Sequence, residues 1–256
     1  MADLKKPLRT LQNHFPGLRG LKNDFYYVTR RYLGLSHEAD FAVIAALRPK
    51  PEDLFLDVGA NRGQSILSMR TYRKDARIIA FEPNPVIFAE LNRRFGAMPG
   101  VTLRNHGLGP DAGTFTLFVP AYNGFVYDGV ASFSRESAMG YFSPKTLYFF
   151  DPAKVSVSEH RCEAVTLDSL DLAPSFVKID IEGYEYEMLQ GAIATLKRHE
   201  PAILIEQFWD SAEVRELLGG LGYETVAVRG GRLQVVPPGA GLNAVMMTPA
   251  RLRAEA

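Results

Sequence analysis

LFLDVGANRGQSILSM, residues 54–69, decides how the rest of the chain is read. Leu54 to Val58 is an apolar run broken only by Asp57, the right length for a strand and too short for a helix. Gly59 and Gly63 bracket a polar turn, and QSILSM opens a helical pattern. The alternation recurs downstream. RIIAFEP (77–83), VTLRNHG (101–107), FVKIDIEG (176–183) and AILIEQ (202–207) read as strands. QSILSMRTYR, PVIFAELNRRF, YEMLQGAIATLKR and AEVRELLGGL read as the helices between them. Strands that alternate with helices predict a parallel sheet covered on both faces, and burial on both faces is what continuous apolar strands require.

The ends and the middle depart from that rhythm. YETVAV (223–228), the Gly230–Gly231 turn, RLQVV (232–236) and NAVMMT (243–248) have no helix among them, which predicts an antiparallel edge. Residues 107–175 carry TFTLFVP and KVSVSEHRCEAVTLDSL around an aromatic loop, an insertion expected to fold over the C-terminal ends of the strands. Residues 1–50 contain two helical patterns, FYYVTRRYLGL and EADFAVIAALR, the second with Ser36 placed as its cap. They read as a lead-in or lid, with the main domain at 51–256.

Composition narrows the function. The 256 residues carry 29 Lys and Arg against 29 Asp and Glu, so no overall charge draws the chain to nucleic acid or an anionic membrane. Cys162 is the one cysteine, which excludes an internal disulfide and a cysteine-rich zinc site. No segment is long and apolar enough to span a bilayer, and the N-terminus lacks the apolar core of a secretory signal. The expected compartment is the cytoplasm.

The turn after the first strand has the pattern D-x-G-x-N-x-G. The dinucleotide pattern G-x-G-x-x-G is absent, and so is the Gly-Lys-Ser/Thr of a P-loop. Asp57 at the strand end would repel a phosphate and suits a cation. S-adenosylmethionine carries an ammonium and a sulfonium and no phosphate, so the acid favours it. Gly59 and Gly63 permit close backbone approach, Asn61 adds an amide, and Ser65 helps satisfy the helix start. Glu82, 19 residues beyond Gly63, ends the second strand where an acid accepts from ribose hydroxyls, or else caps the following helix. Asn105, with His106 and Gly107 at the third strand end, either reaches the adenine edge or caps its own loop.

FVKIDIEGYEYEMLQ (176–190) puts Asp180, Glu182, Glu185 and Glu187 at the end of a buried strand. Helical spacing turns Glu182 and Glu185 toward the apolar face and Glu187 toward water. Glu206 ends the next strand at the same rim. Acids in a first turn also favour the helix dipole, and can cap backbone N–H groups. Asp180, Glu182 and Glu206 are the candidate catalytic carboxylates, one of them a general base for a hydroxyl. The same acids could instead hold a divalent cation such as Mg²⁺, which the sequence allows but does not require.

Together LDVGANRGQS, FEPNPVIFAELNRRF, VTLDSL, VKIDIEGYEYEMLQGA, PAILIEQ and LNAV resemble the FkbM family of S-adenosylmethionine-dependent methyltransferases over roughly residues 52–248. The resemblance implies a Rossmann-like class I methyltransferase fold, a seven-stranded, mostly parallel sheet with helices on both faces and an antiparallel edge strand. It implies O-methylation of a sugar, glycan or polyketide-like small molecule. It also implies S-adenosylmethionine as cofactor, with contacts at Asp57, Gly59, Asn61, Gly63 and Glu82; Ala60, Ser65, Asn105 and Asp180 join them as candidate cofactor contacts by their place at the strand ends. His106-Gly107-Leu108-Gly109 departs from the usual family pattern, which puts the adenine contact in question. Three alternatives stand beside this reading: N-methylation of a small molecule or protein side chain, a nucleotide-dependent oxidoreductase, and a non-catalytic member of the fold. Whether the chain forms a homo-oligomer is open. The aromatics of the insertion, Tyr122, Phe125, Tyr127, Phe133, Tyr141, Phe142, Tyr148, Phe149 and Phe150, either shape an acceptor pocket or form a core beneath a long loop. His160 is a further candidate base.

Overall fold

The computed structural model describes residues 6, 7, 10, 36–48, 50, 52–206, 208, 211–237 and 243–255, all but the side chain of Asp128. The chain divides into two compact units, one of Met1–Leu33 with Thr114–Cys162, the other of Gly34–Gly113 with Glu163–Ala256. The first helical pattern of the lead-in lies outside the described residues.

In chain order the elements are α1 (Val43–Ala46), β1 (Leu54–Val58), α2 (Gln64–Tyr72), β2 (Arg77–Phe81), α3 (Pro85–Phe95), β3 (Val101–Arg104), β4 (Gly107–Leu108), β5 (Gly113–Tyr122), β6 (Phe125–Val126) and α4 (Arg135–Gly140). There follow β7 (Val155–Val165), β8 (Phe176–Ile179), α5 (Glu185–Gln190), α6 (Ile193–His199), β9 (Ala202–Glu206), α7 (Ala212–Gly220), β10 (Glu224–Arg229), β11 (Arg232–Val235), β12 (Asn243–Met247) and α8 (Pro249–Glu255). A 3-10 turn, Ala39–Ala42, leads into α1.

The larger unit is built on a sheet in the order β11-β10-β12-β9-β8-β1-β2-β3. β3, β2, β1, β8 and β9 are parallel. β12 runs antiparallel to β9 and to β10. Every residue of β1 and β8 is buried, because helices cover both faces. The sequence pattern predicts this α/β arrangement. The strand count differs, since the sheet has eight strands where the resemblance implies seven. β11 is the addition. Gly230 and Gly231, at φ 59° and 76°, form a two-residue turn that folds β11 back onto β10, with Arg229 opposite Arg232. Two strands, β11 and β12, therefore oppose the rest.

The stretch YEMLQGAIATLKR is two helices, not one. A Cβ on Gly191 would stand 2.0 Å from the Gly109 carbonyl oxygen, so the backbone of another loop crosses at this point and interrupts the helix. Asp168 of the VTLDSL block restarts it. Its two carboxylate oxygens accept from the Ala194 and Thr195 amides at 3.0 and 2.7 Å, capping α6 from outside the helix.

Arg73 fixes the described end of the lead-in. Its guanidinium donates to Asp53 Oδ2 at 2.8 Å and to the Leu47 and Ile44 carbonyls at 2.7 and 3.2 Å, satisfying the C-terminus of α1. Ser36 does not cap this segment. Its hydroxyl donates to the Glu38 carbonyl at 2.8 Å, and Glu38 occupies the cap position without a side-chain bond.

In the smaller unit most of the aromatics of the insertion form a core. β5 and β6 form a hairpin over Asn123 and Gly124. Tyr122, Phe142 and Leu147 are buried together, with Tyr127, Tyr141 and Phe150 packed against them. Ring centroids lie 5.7 Å apart for Tyr122–Phe142 and 5.0 Å for Tyr127–Phe142. Among the described residues of this unit Phe149 is almost bare, at 92% exposure. Cys162 is buried beside Leu117 and Val119 and packs there as a small hydrophobe.

Candidate active site

The site grows from strand register. Asp57 on β1 stands opposite Lys178 on β8, Lys178 opposite Leu204 on β9, and Glu206 opposite Asn243 on β12. Side chains two apart share a face, so Asp57, Lys178, Asp180, Glu206 and Asn243 line one face at the C-terminal edge of the parallel strands. Ligands bind at that edge in open α/β sheets.

The first loop is shaped for close approach. Gly59, Asn61 and Gly63 all have positive φ, 80°, 45° and 85°. A Cβ on Gly59 would lie 1.8 Å from the Asp180 carbonyl oxygen, and one on Gly63 would meet the Phe95 ring at 2.3 Å. The Gly59 and Ala60 amides both donate to the Phe81 carbonyl, at 3.1 and 3.0 Å. The loop is thereby pressed between β2 and the end of β8.

Glu82 is 5% exposed, and its carboxylate ties two loops together. It accepts from the Asn61 amide and the Asn84 amide, both at 2.9 Å. It does not cap α3. Asn84 does, accepting from Val86 and Ile87 at 3.0 and 3.4 Å. Asn105 is exposed, and its amide nitrogen bridges the Glu82 and Pro83 carbonyls at 2.8 and 3.3 Å.

A cavity of about 240 Å³ opens beside this loop, lined by Gly59, Ala60, Asn61, Ser65, Lys178, Asp180, Glu182 and Glu206, with His37, Glu38, Phe41 and Gln64. That is below the roughly 300–1,000 Å³ of most small-molecule sites, so it encloses part of such a ligand. The three candidate catalytic carboxylates meet here. Asp57 lies beneath, fully buried, and Glu82, Gly63 and Asn105 stand outside the wall. Glu185 is buried away from the cavity and accepts from the Ile181 and Gly183 amides, both at 3.2 Å, which is the capping role. Helical spacing turns Glu182 to the apolar face, but it is exposed on a positive-φ turn because α5 begins only at Glu185; Glu187 is half-buried, where the helical spacing turns it to water. His160 is not among the lining residues; its Nε2 is 3.1 Å from Ser158 Oγ. Among the described residues no cluster of three or more His, Cys, Asp or Glu has a metal-binding arrangement.

Sequence reasoning missed Lys178. Its side chain is 10% exposed, with Nζ 3.0 Å from Asp180 Oδ2, 3.2 Å from the Gly59 carbonyl and 3.7 Å from Asp57 Oδ1. The signal was available, because a lysine inside an otherwise apolar four-residue strand needs a partner. His37 and Glu38 were missed for another reason: only the fold brings the lead-in to this edge.

The charges are strongly skewed. Burial raises the Asp57 carboxyl, and the Lys178 ammonium and the Ser65 hydroxyl, 2.7 Å from Oδ2, only partly offset it. Burial works against the charge of Asp180 too, but Lys178 and a hydrogen bond with Glu206 outweigh it and hold Asp180 below its usual range. Glu206 takes the other side of that bond. The hydrogen bond with Asp180, burial and the charges of Asp180, Glu182 and Glu38 push it up to about 8. The pair thus shares one proton at neutral pH.

Four cavity carboxyls against one ammonium suit a cation and repel phosphate, which fits S-adenosylmethionine and argues against a dinucleotide. When bound, that cofactor supplies an activated methyl group. Gly59, Ala60, Asn61 and Gly63 form a cradle that side chains larger than hydrogen would fill at two positions.

Residues 57–225 match the model of the methyltransferase FkbM domain. Among curated proteins the chain is similar to 2-O-methyltransferase NoeI of Sinorhizobium fredii, 24% identical over 159 residues, 60% of this chain and 63% of that protein. It is similar to methyltransferase sdnD of Sordaria araneosa, 30% identical over 175 residues, covering 58% and 62%. It is also similar to hexuronic acid methyltransferase AglP of Haloferax volcanii, 26% identical over 168 residues, covering 65% and 61%. The matches span about three fifths of the length of these relatives.

Proposed function

We propose a function from one premise: the chain belongs to the FkbM methyltransferase family. It transfers the methyl group of S-adenosylmethionine to a hydroxyl oxygen of a sugar, glycan or polyketide-like small molecule. The observation that carries this reading is the Asp180–Glu206 pair at the wall of an acidic cavity beside the Gly59–Gly63 loop. The acceptors named for the relatives, a 2-O position and a hexuronic acid, support it.

In this reading Gly59, Ala60, Asn61, Gly63 and Ser65 hold the cofactor, with Asp57 beneath the loop. Glu82 and Asn105 serve its nucleoside end and Asp180 its charged end. The hydroxyl oxygen forms a bond to the methyl carbon as the carbon–sulfur bond breaks, and the electron pair of that bond stays on sulfur. The hydroxyl proton passes to Glu206 in its ionised form, with Glu182 at the cavity mouth. A base with a pKa near working pH is the efficient case. In-line placement of the two reactants supplies much of the remaining rate. A divalent cation is not needed in this scheme.

The rest of the organisation belongs to the same proposal. Residues 1–50 are a lead-in whose end, at His37, Glu38 and Phe41, walls the cavity. The catalytic domain is 51–256, with its insertion at about 107–175. Among the described residues no helix is long and apolar enough to cross a membrane, and a cytoplasmic site of action fits the cofactor.

The test is mass spectrometry of hydroxylated acceptors incubated with the protein and methyl-labelled S-adenosylmethionine. A mass gain on oxygen supports the reading. Label found only on nitrogen, or on no acceptor while S-adenosylhomocysteine binds, overturns it.

A further inference from the structure

We propose that Lys178 is a positioning residue, which ties Asp180 to the Gly59 loop so that Glu206 is the one member of the carboxyl pair that exchanges its proton. The inference deepens the methyl-transfer reading and rests on it for its purpose, though not for its test.

The geometry is specific. Lys178 lies on a strand whose four residues are all buried, and directly opposite Asp57. Its ammonium has three donors. One reaches Asp180 Oδ2 at 3.0 Å and another the Gly59 carbonyl at 3.2 Å, and the charge faces Asp57 Oδ1 at 3.7 Å. Asp57 Oδ1 is buried without a hydrogen bond, so Lys178 is the positive charge that this oxygen faces.

A lysine is costly to bury, and this one keeps its proton. Burial lowers its pKa, but Asp180, Asp57 and Glu206 outweigh burial and raise it above its ordinary value. The permanent charge breaks the symmetry of the pair. Of the two members of the pair Lys178 hydrogen-bonds Asp180, so the negative charge stays there and the shared proton rests on Glu206. Glu182 from the β8–α5 loop, and His37 and Glu38 from the lead-in, also face this cavity. The carboxylates among them raise Glu206, while His37 favours the charge on Asp180. Lys178 also donates to the Gly59 carbonyl, so its side chain couples the loop to the pair.

The test is a ¹³C NMR titration of the side-chain carboxyls of Asp180 and Glu206 in the wild-type protein, K178R and K178M. The expected result is that K178M raises the Asp180 titration by about one to three pH units, the usual effect of an adjacent opposite charge. K178R should stay near wild type. If Asp180 titrates unchanged in folded K178M, the proposal is overturned. Should K178M not fold, the double variant D57N/K178M removes both members of the cross-strand pair and is read in the same way. A third readout needs no variant: the ¹⁵Nζ resonance of Lys178 should stay that of an ammonium up to pH 10, and a free amine below that pH overturns the proposal. Binding of S-adenosylhomocysteine to the wild type, measured alongside, separates the two claims. Its absence would sink the functional reading and leave the titration result standing.

Discussion

Lys178 Nζ lies 3.0 Å from Asp180 Oδ2, and Asp180 shares its remaining hydrogen bonding with Glu206. This chain of three groups runs from β8 to β9 across the rim of the sheet. It makes Glu206, at about 8, the group whose charge changes in the working range of pH.

That assignment sets the Glu206 contribution to the pH dependence of stability, beside that of Asp57, which burial also raises. Glu206 binds its proton more tightly folded than unfolded, because its folded pKa lies above the ordinary 4.5. The stabilisation is complete below the ordinary value and is lost as pH rises through about 8. Asp180, held low, has the opposite sign, but its effect appears only as pH falls below its ordinary 3.8. Thermal melts of the unliganded protein should therefore fall steadily between pH 5.5 and 9. E206Q, which cannot ionise, should flatten that slope. Identical slopes in the two proteins would remove Glu206 from the account.

Gly59 should be intolerant of alanine. The added Cβ would stand 1.8 Å from the Asp180 carbonyl oxygen at φ 80°, so backbone must move. The cost should be about 3 kcal/mol or more, roughly 6–12 °C in midpoint for a unit of this size. Gly124→Ala is the control. It has a similar φ of 79° with nothing within 4 Å, and should cost only about 1 kcal/mol. Equal losses would mean that φ alone, and not the approach of β8, constrains Gly59.

Asp168→Ala tests the cap across the break at Gly191. Two amides at the start of α6 lose their acceptor. The expected loss is about 1 kcal/mol, within the usual range for a cap, with affinity for S-adenosylhomocysteine unchanged. A large fall in affinity with little loss of stability would place Asp168 in the site instead.

Phe149 offers a prediction of opposite sign. It is 92% exposed and holds φ 54°, a conformation that costs a non-glycine residue about 1 kcal/mol. Phe149→Gly should leave stability unchanged or raise it by up to about 1 kcal/mol in urea unfolding. A loss larger than that would show that the ring is packed in solution.

The sequence carries most of this fold because its signals are local. Apolar runs of strand length, glycines at the turns and amphipathic stretches between them are enough to place β1, β2, β3, β8, β9 and β12. The misreadings arise where a distant segment intervenes. The helix after FVKID is broken because Gly109 crosses it at Gly191, and neither residue announces the other. Asp168 has no role in the sequence pattern until its two amide partners, 26 and 27 residues away, are seen. The site divides in the same way. Asp180 and Glu206 were legible as strand-end acids at one rim, while Glu182, placed by helical spacing on the apolar face, lies exposed on the turn before the helix. Lys178 was overlooked inside its apolar run, although burying one lysine beside so many acids is itself a statement of pairing. His37 is held through Ser68, whose Oγ accepts from its amide at 2.7 Å, and Glu38 through Asn243, contacts that no periodicity reveals; Asn243 Nδ2 donates to Glu38 at 2.8 Å and to Asp40 at 3.0 Å.

The most direct measurement is calorimetric titration of the purified chain with S-adenosylmethionine at pH 7.5, in two buffers of different ionisation enthalpy. A cation entering beside Asp180 and Glu206 should lower Glu206, so binding to one site per chain should release protons, and the apparent enthalpies should differ between buffers. The double variant D57A/E82A should bind weakly or not at all. No binding by the wild type, or binding that the double variant retains in full, would contradict the account.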